Sequence, residues 1–302
     1  MPINITSLLL SFAGGVLGAA IGGSAAFVFT GFTVMIGFAI AAAGGGREAL
    51  TEIAFGPVFG PHICFAAGAA AAAYAARIRA HPSARDIVTP LMGVDRADVL
   101  AVGGLFGIFG YLCNAALQGI GLGPWTDTIA FSVVLSGVAA RYAFGRTGFL
   151  GDASAPDTRR FQPDDSHCWI RWSERPPQLV TIGLTMGLLS AYMAKLFGAS
   201  GGGDAVGFGI AGALLLFLHF GHRIPVTHHI ALPAATATVL TGSVIFGGII
   251  GVLAAFVGEA YSRLFLIHGD TYVDPPAAAI ATVTIALRFT DKAGWLQIIA
   301  IP

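Results

Sequence analysis

Charge is the scarcest commodity in this sequence: Asp, Glu, Lys and Arg make up 11% of its 302 residues, against about 25% in a soluble globular domain. The 16 basic and 16 acidic residues cancel and fall in short clusters. No basic stripe exists that could neutralise a nucleic-acid backbone, which excludes nucleic-acid binding as the main role. Cysteine is also scarce. Cys64, Cys113 and Cys168 lie far apart, two of them in apolar runs, so they read as small buried hydrophobes and not as a disulfide frame or zinc site. A Walker-type phosphate loop is missing, which excludes direct ATP coupling within this chain. The glycine triplets Gly44–Gly46 and Gly201–Gly203 flank apolar spans, not strands, and read as turns or hinges. No cofactor is expected.

What the sequence does hold is apolar. Hydrophobic residues make up 55% of it and the mean hydropathy is +0.78, more apolar surface than a soluble fold of this size could bury. Its 42 glycines are roughly twice the usual share of ~7%, and small residues let membrane helices approach closely. The expected fold is an all-α polytopic membrane protein, sited in the cytoplasmic (inner) membrane of a prokaryote. The first apolar run starts near Met1, lacks a basic leader and continues to Ala43, so it is expected to be mature membrane helix.

A helix needs ~20 apolar residues to cross the hydrocarbon. Thr6–Ala43 divides at Gly22-Gly23-Ser24 into two spans, the first with Gly14, Gly18 and Gly22 on one face. A third span, Ile63–Ala76, follows Phe55-Gly56-Pro57-Val58-Phe59-Gly60-Pro61-His62, which suits a broken or re-entrant segment. Val99–Leu117 and Thr128–Phe144 complete five. A second five follow at Leu179–Phe197, Ala205–Phe220, Ile230–Leu240 (interrupted by Pro233), Val244–Phe265 and Pro275–Leu287. The organisation expected is a first repeat over 1–144, a polar linker over 145–178 and a second repeat over 179–302.

Landmarks align the halves. Gly22-Gly23-Ser24 matches Gly202-Gly203-Asp204, and Pro61-His62-Ile63 matches His228-His229-Ile230. Gly103-Gly104 with Gly107 matches Gly247-Gly248 with Gly251, and the loop bearing Asp127 matches the one bearing Asp274. Five is an odd number, so the second copy enters from the opposite face and the repeats are inverted. Arg77, Arg79, Arg85, Arg96 and the polar central linker with its arginines fit one cytoplasmic face, with both termini outside; Arg288 and Lys292 pull the other way.

Ionisable groups inside or at the mouths of such spans are the default functional candidates. The densest cluster is His268-Gly269-Asp270-Thr271-Tyr272-Val273-Asp274-Pro275-Pro276, whose His and Asp suit a proton relay or a metal ion. Asp274 also has the ordinary role of capping the last helix before a first-turn proline. Asp127 is its counterpart. His62, His228 and His229 sit at matched helix starts, where a repeat would bring them toward the midplane. Asn114 and Glu259 are near-equivalent late in the fourth spans, and Arg263, one turn on, is the natural partner of Glu259. Asp164-Asp165-Ser166-His167-Cys168-Trp169 reads as a solvated loop.

The layout is similar to the paired five-helix halves of urea and ammonium channels, in architecture and not in residue motifs. The expectation is a transporter or channel, not an enzyme, that moves a small ion or polar solute between the repeats with His/Asp residues coupling protons or cations. Its partners are the bilayer, the solute and, through its glycine faces, a second copy of the chain. The alternatives are an intramembrane enzyme using His268, Asp270 and Asp274, and a facilitator pore for a neutral solute.

Overall fold

The computed structural model describes residues 3–154, 159–164 and 166–296. They are helical throughout apart from loops and one isolated bridge, Arg159 to Gln162. Asp165 of the linker motif lies outside the described residues.

In the first half, α1 (Ile5–Ile21) starts at Asn4, whose side chain accepts the Ser7 amide at 2.8 Å. It stops at Gly22, where φ is +89°, a conformation that a side chain rarely tolerates. The run thereby turns straight into α2 (Gly23–Ala42). A π-helical turn (Ala49–Ala54) and irregular backbone through Phe55–Ile63 lead into α3 (Cys64–Arg77), so the Pro/Gly stretch is non-helical as its composition requires. Then follow α4 (Ala97–Gly119) and α5 (Thr128–Phe144). The second half holds α6 (Pro176–Phe197), α7 (Gly203–Leu214), the single turn α8 (Leu216–His219), α9 (His228–Thr241), α10 (Val244–Tyr261) and α11 (Pro275–Lys292). A π-helical turn, Ser262–Leu266, extends α10.

Among the described residues, four helices are long and apolar enough to cross a membrane: α2, α4, α6, and α10 with its extension. The remaining expected spans are shorter helices. At ~1.5 Å per residue, the 14-residue α3 and α9 reach only about 21 Å, short of the ~30 Å hydrocarbon thickness. Pro233 does not interrupt α9, which runs through it as continuous helix. It stands in the second turn, where its missing N–H costs only the bond to the His229 carbonyl.

Packing follows the same plan twice. α1 lies on α4, and α6 on α10; α3 packs against both α1 and α4, as α9 does against α6 and α10. α5 leans on α3 and α4, and α11 on α9 and α10, while α2 meets α7 and α5 meets α11 between the halves. Glycine makes the closest of these contacts. A Cβ at Gly15 would collide with the Gly103 carbonyl oxygen, and one at Gly187 would stand 3.0 Å from that of Gly248. The central α3 is buried from Cys64 to Ala73 and consists there of small residues around Phe65, because the helices around it leave little room for more. Arg47 and Asp204 bridge the halves at 3.1 Å.

Candidate functional site

Where the halves meet there is a cavity of about 280 Å³. Its walls come in matched pairs. Asp127, Ile129, Ala130 and Val133 of the α5 start face in from one half; Asp274, Pro276, Ala277 and Ile280 of the α11 start face in from the other. Pro61 and Phe65 are answered by His228 and Leu232, the positions that the sequence landmarks pair, although His228 opens α9 while Pro61 stands three residues before α3. Phe27 from α2 and Phe208 from α7 meet at 5.5 Å between ring centroids, and Phe55, Tyr272, Trp169 and Trp172 complete an aromatic lining.

The two carboxylates are helix caps as well as wall residues. Asp127 Oδ1 accepts the Ala130 amide and Asp274 Oδ2 the Ala277 amide, each at 2.8 Å. In both cases one oxygen satisfies the first turn, so each acid is held in place by its own helix. The Tyr272 hydroxyl lies beside both Asp274 and the Trp169 indole. His228 lies against Phe27, the rings tilted at 4.6 Å between centroids, and its buried Nδ1 has no partner among the described residues.

The other candidates separate. His62 and His229 sit one residue beyond the cavity walls in their halves, both buried, with an Nδ1 that has no partner among the described residues. Each presses on a glycine of its neighbouring long helix: the His62 carbonyl on Gly110, the His229 ring on Gly258. His229 faces Trp169 at 5.8 Å and shares a crevice of about 20 Å³ with Glu259. Glu259 is paired with Arg263 at 2.6 Å, as their spacing predicts, and Asn114 accepts from Gln118 at 3.4 Å on α4.

The densest cluster in the sequence is not one site. Asp270 turns to the linker, where it accepts the Arg146 amide at 2.6 Å and the Thr147 hydroxyl at 2.9 Å. His268 meets the Arg160 carbonyl at 3.3 Å and the His167 ring. Burial lowers its proton affinity most, offset in part by that carbonyl. Only Asp274 of the three lines the cavity. No group of three His, Cys, Asp or Glu side chains suited to a metal ion occurs among the described residues, and the three cysteines are free.

Three features escape sequence reasoning. The linker does not simply lie in solvent: Asp164 closes a local turn onto Ser166 and His167, but Trp169, Ile170 and Trp172 reach over the cavity and form part of its wall. Two tryptophans in four residues were the available signal. The turn around Asp86 forms a second strap over the same end. Burial opposes the ionisation of Asp86, yet hydrogen bonds from Thr89, Val88 and His81 outweigh it and hold the carboxyl below its ordinary range. Finally, Arg141 near the end of α5 is 1% exposed. It donates to the Thr271 hydroxyl at 3.0 Å and to the carbonyls of Phe149, Phe265 and Thr271, locking the loop that carries Tyr272 toward the cavity.

The chain belongs to a family of unknown function (DUF7973), whose profile matches residues 1–157 and again residues 149–301. No curated protein and no solved structure matches it.

Proposed function

We propose that this chain is an integral membrane transporter or channel, made of two five-helix halves of opposite orientation, and that its solute passes through the cavity between them. The observation that carries this reading is the matched lining. A cavity whose two walls are drawn from corresponding positions of duplicated halves is what an inverted repeat produces on its pseudo-twofold axis, where such proteins place their pathway. The family match over each half supports the duplication. The helix starts at Asp127 and Asp274, preceded by irregular backbone, supply polar groups where a buried wall would otherwise be apolar. An enzyme centred on His268, Asp270 and Asp274 has less support, because those groups face different surroundings.

The test is flux through proteoliposomes for protons, monovalent and divalent cations, anions and small neutral or amine solutes. Wild type is compared with Asp274→Asn and His228→Ala. The expected outcome is that one solute class moves faster than in empty vesicles and that each variant slows it by about tenfold or more, the worth of one lost polar contact. Unchanged flux in both variants removes the cavity from the pathway.

A further inference from the structure

The polar lining of the cavity is two carboxyl groups, one imidazole and neutral hydroxyl and indole groups, with no fixed positive charge. Asp127 and Asp274 stand there with no Lys or Arg among the lining residues. Each helix start contributes about half a positive charge beside its acid, and a cation bound near the two acids favours the ionised form of both. The rest of the wall is dominated by aromatic faces. Phe27, Phe65 and Phe208 pack edge to face, with Tyr272 and Trp169 closing the end nearest Asp274. A cation gains from ring faces within about 6 Å, and gains more when water is excluded. A third polar group comes from outside the two caps: His228 is 93% buried (7% exposed) and its Nδ1 has no partner among the described residues.

We propose that the cavity selects small hydrophobic organic cations, namely a protonated amine with an alkyl or aryl body. The ammonium stands between the Asp127 and Asp274 carboxylates, and the body lies among the phenylalanines. A bare metal ion has too few oxygen ligands here. An anion finds no favourable partner in two carboxyl groups, and a neutral solute supplies no charge to pair with them. The volume, at the lower edge of the usual ligand-pocket range of roughly 300 Å³ upward, limits the body to about one ring. This assignment rests on the translocation reading above.

Three isosteric probes separate charge from shape: 2-phenylethylammonium, 2-phenylethanol and 3-phenylpropionate. The full chain in detergent is titrated with each while tryptophan fluorescence and Tm are followed, since Trp169 and Trp172 touch the cavity. Uptake is then measured in proteoliposomes. The ammonium is expected to quench, to raise Tm and to be taken up, with the alcohol and the carboxylate at least tenfold weaker. Asp127→Asn and Asp274→Asn keep a side chain that caps helices well and remove only charge. Each is expected to weaken the ammonium at least tenfold while leaving alcohol binding unchanged and the protein folded. Phe208→Leu is expected to weaken the ammonium without altering its preference over the alcohol. Equal binding of ammonium and alcohol, or preference for the carboxylate, overturns the cation assignment; if Asp274→Asn still blocks flux of the preferred probe, the pathway reading survives. Ammonium binding that survives both Asn variants overturns the assignment too. If no solute of any charge crosses, both readings fall.

Discussion

At the residue scale, the most demanding side chain is Arg141, a guanidinium fixed inside the protein by carbonyls and one hydroxyl, with no carboxylate bonded to it among the described residues. Arg141→Met removes the charge but strands those acceptors, and unsatisfied buried acceptors cost about 1–3 kcal/mol each. The expected result is a loss on the order of 3 kcal/mol, read as a lower unfolding midpoint in detergent, together with faster proteolysis of the 265–274 loop. Asp86 yields a pH prediction. Its carboxyl is held below the ordinary value of ~3.9, so the strap's contacts to His81 and Thr89 are fully present above that value and are lost as pH falls through the lowered one. Hydrogen exchange of residues 81–89 should stay slow at pH 5 and quicken only in stronger acid; loss of protection already at pH 5 would contradict the assignment.

Among single residues, the sequence made Asp127, His228 and Asp274 visible because charge is rare enough to stand out. It could not tell Asp274 from Asp270, four residues apart in one motif, since which way a loop carboxylate turns depends on partners over 100 residues away, Arg146 and Thr147. Glu259 was legible for the opposite reason: its partner Arg263 lies one turn along the same helix. Arg141 stands in the last turn of α5, and nothing in the local sequence signals that the chain folds back over it.

At the scale of the element, helices end where backbone chemistry dictates. Thr128–Phe144 is read without error from composition, framed by the Asp127 cap and Gly145. The Ala-rich α3 shows what hydropathy misses: it is less apolar than its neighbours yet more deeply buried, because Ala and Gly are chosen for proximity. Close approach predicts a sharp mutational signature. Gly15→Val drives a branched side chain into the backbone of Gly103 and Gly107, and should abolish monodisperse folded protein in size-exclusion chromatography. Gly119→Ala, where nothing lies within 4 Å of the added Cβ, should be neutral. Similar yields for both would mean that α1 and α4 do not touch as described.

At the scale of the whole molecule, one packing plan carried out twice places two helix starts, two acids and a ring of aromatics around one space. The order of landmarks along the sequence exposed the duplication. The cavity itself was not legible, because it depends on how α2 meets α7 and α5 meets α11, and contacts between halves leave no periodic trace in either. The linker's contribution was hidden likewise, since only docking turns Trp169 and Trp172 into wall.

The claim that this shared space is a pathway is tested most directly by access. In a chain with Cys64, Cys113 and Cys168 replaced by Ser, single cysteines at the paired wall positions Ala130 and Ala277 are exposed in sealed proteoliposomes to a small membrane-impermeant thiol reagent, applied to one face and then to the other. The account predicts that both positions react, that the pair together is reached from both faces, and that a transported solute protects the two alike. Labelling at neither position from either face, in protein shown to be folded, would mean a sealed packing void and would contradict it.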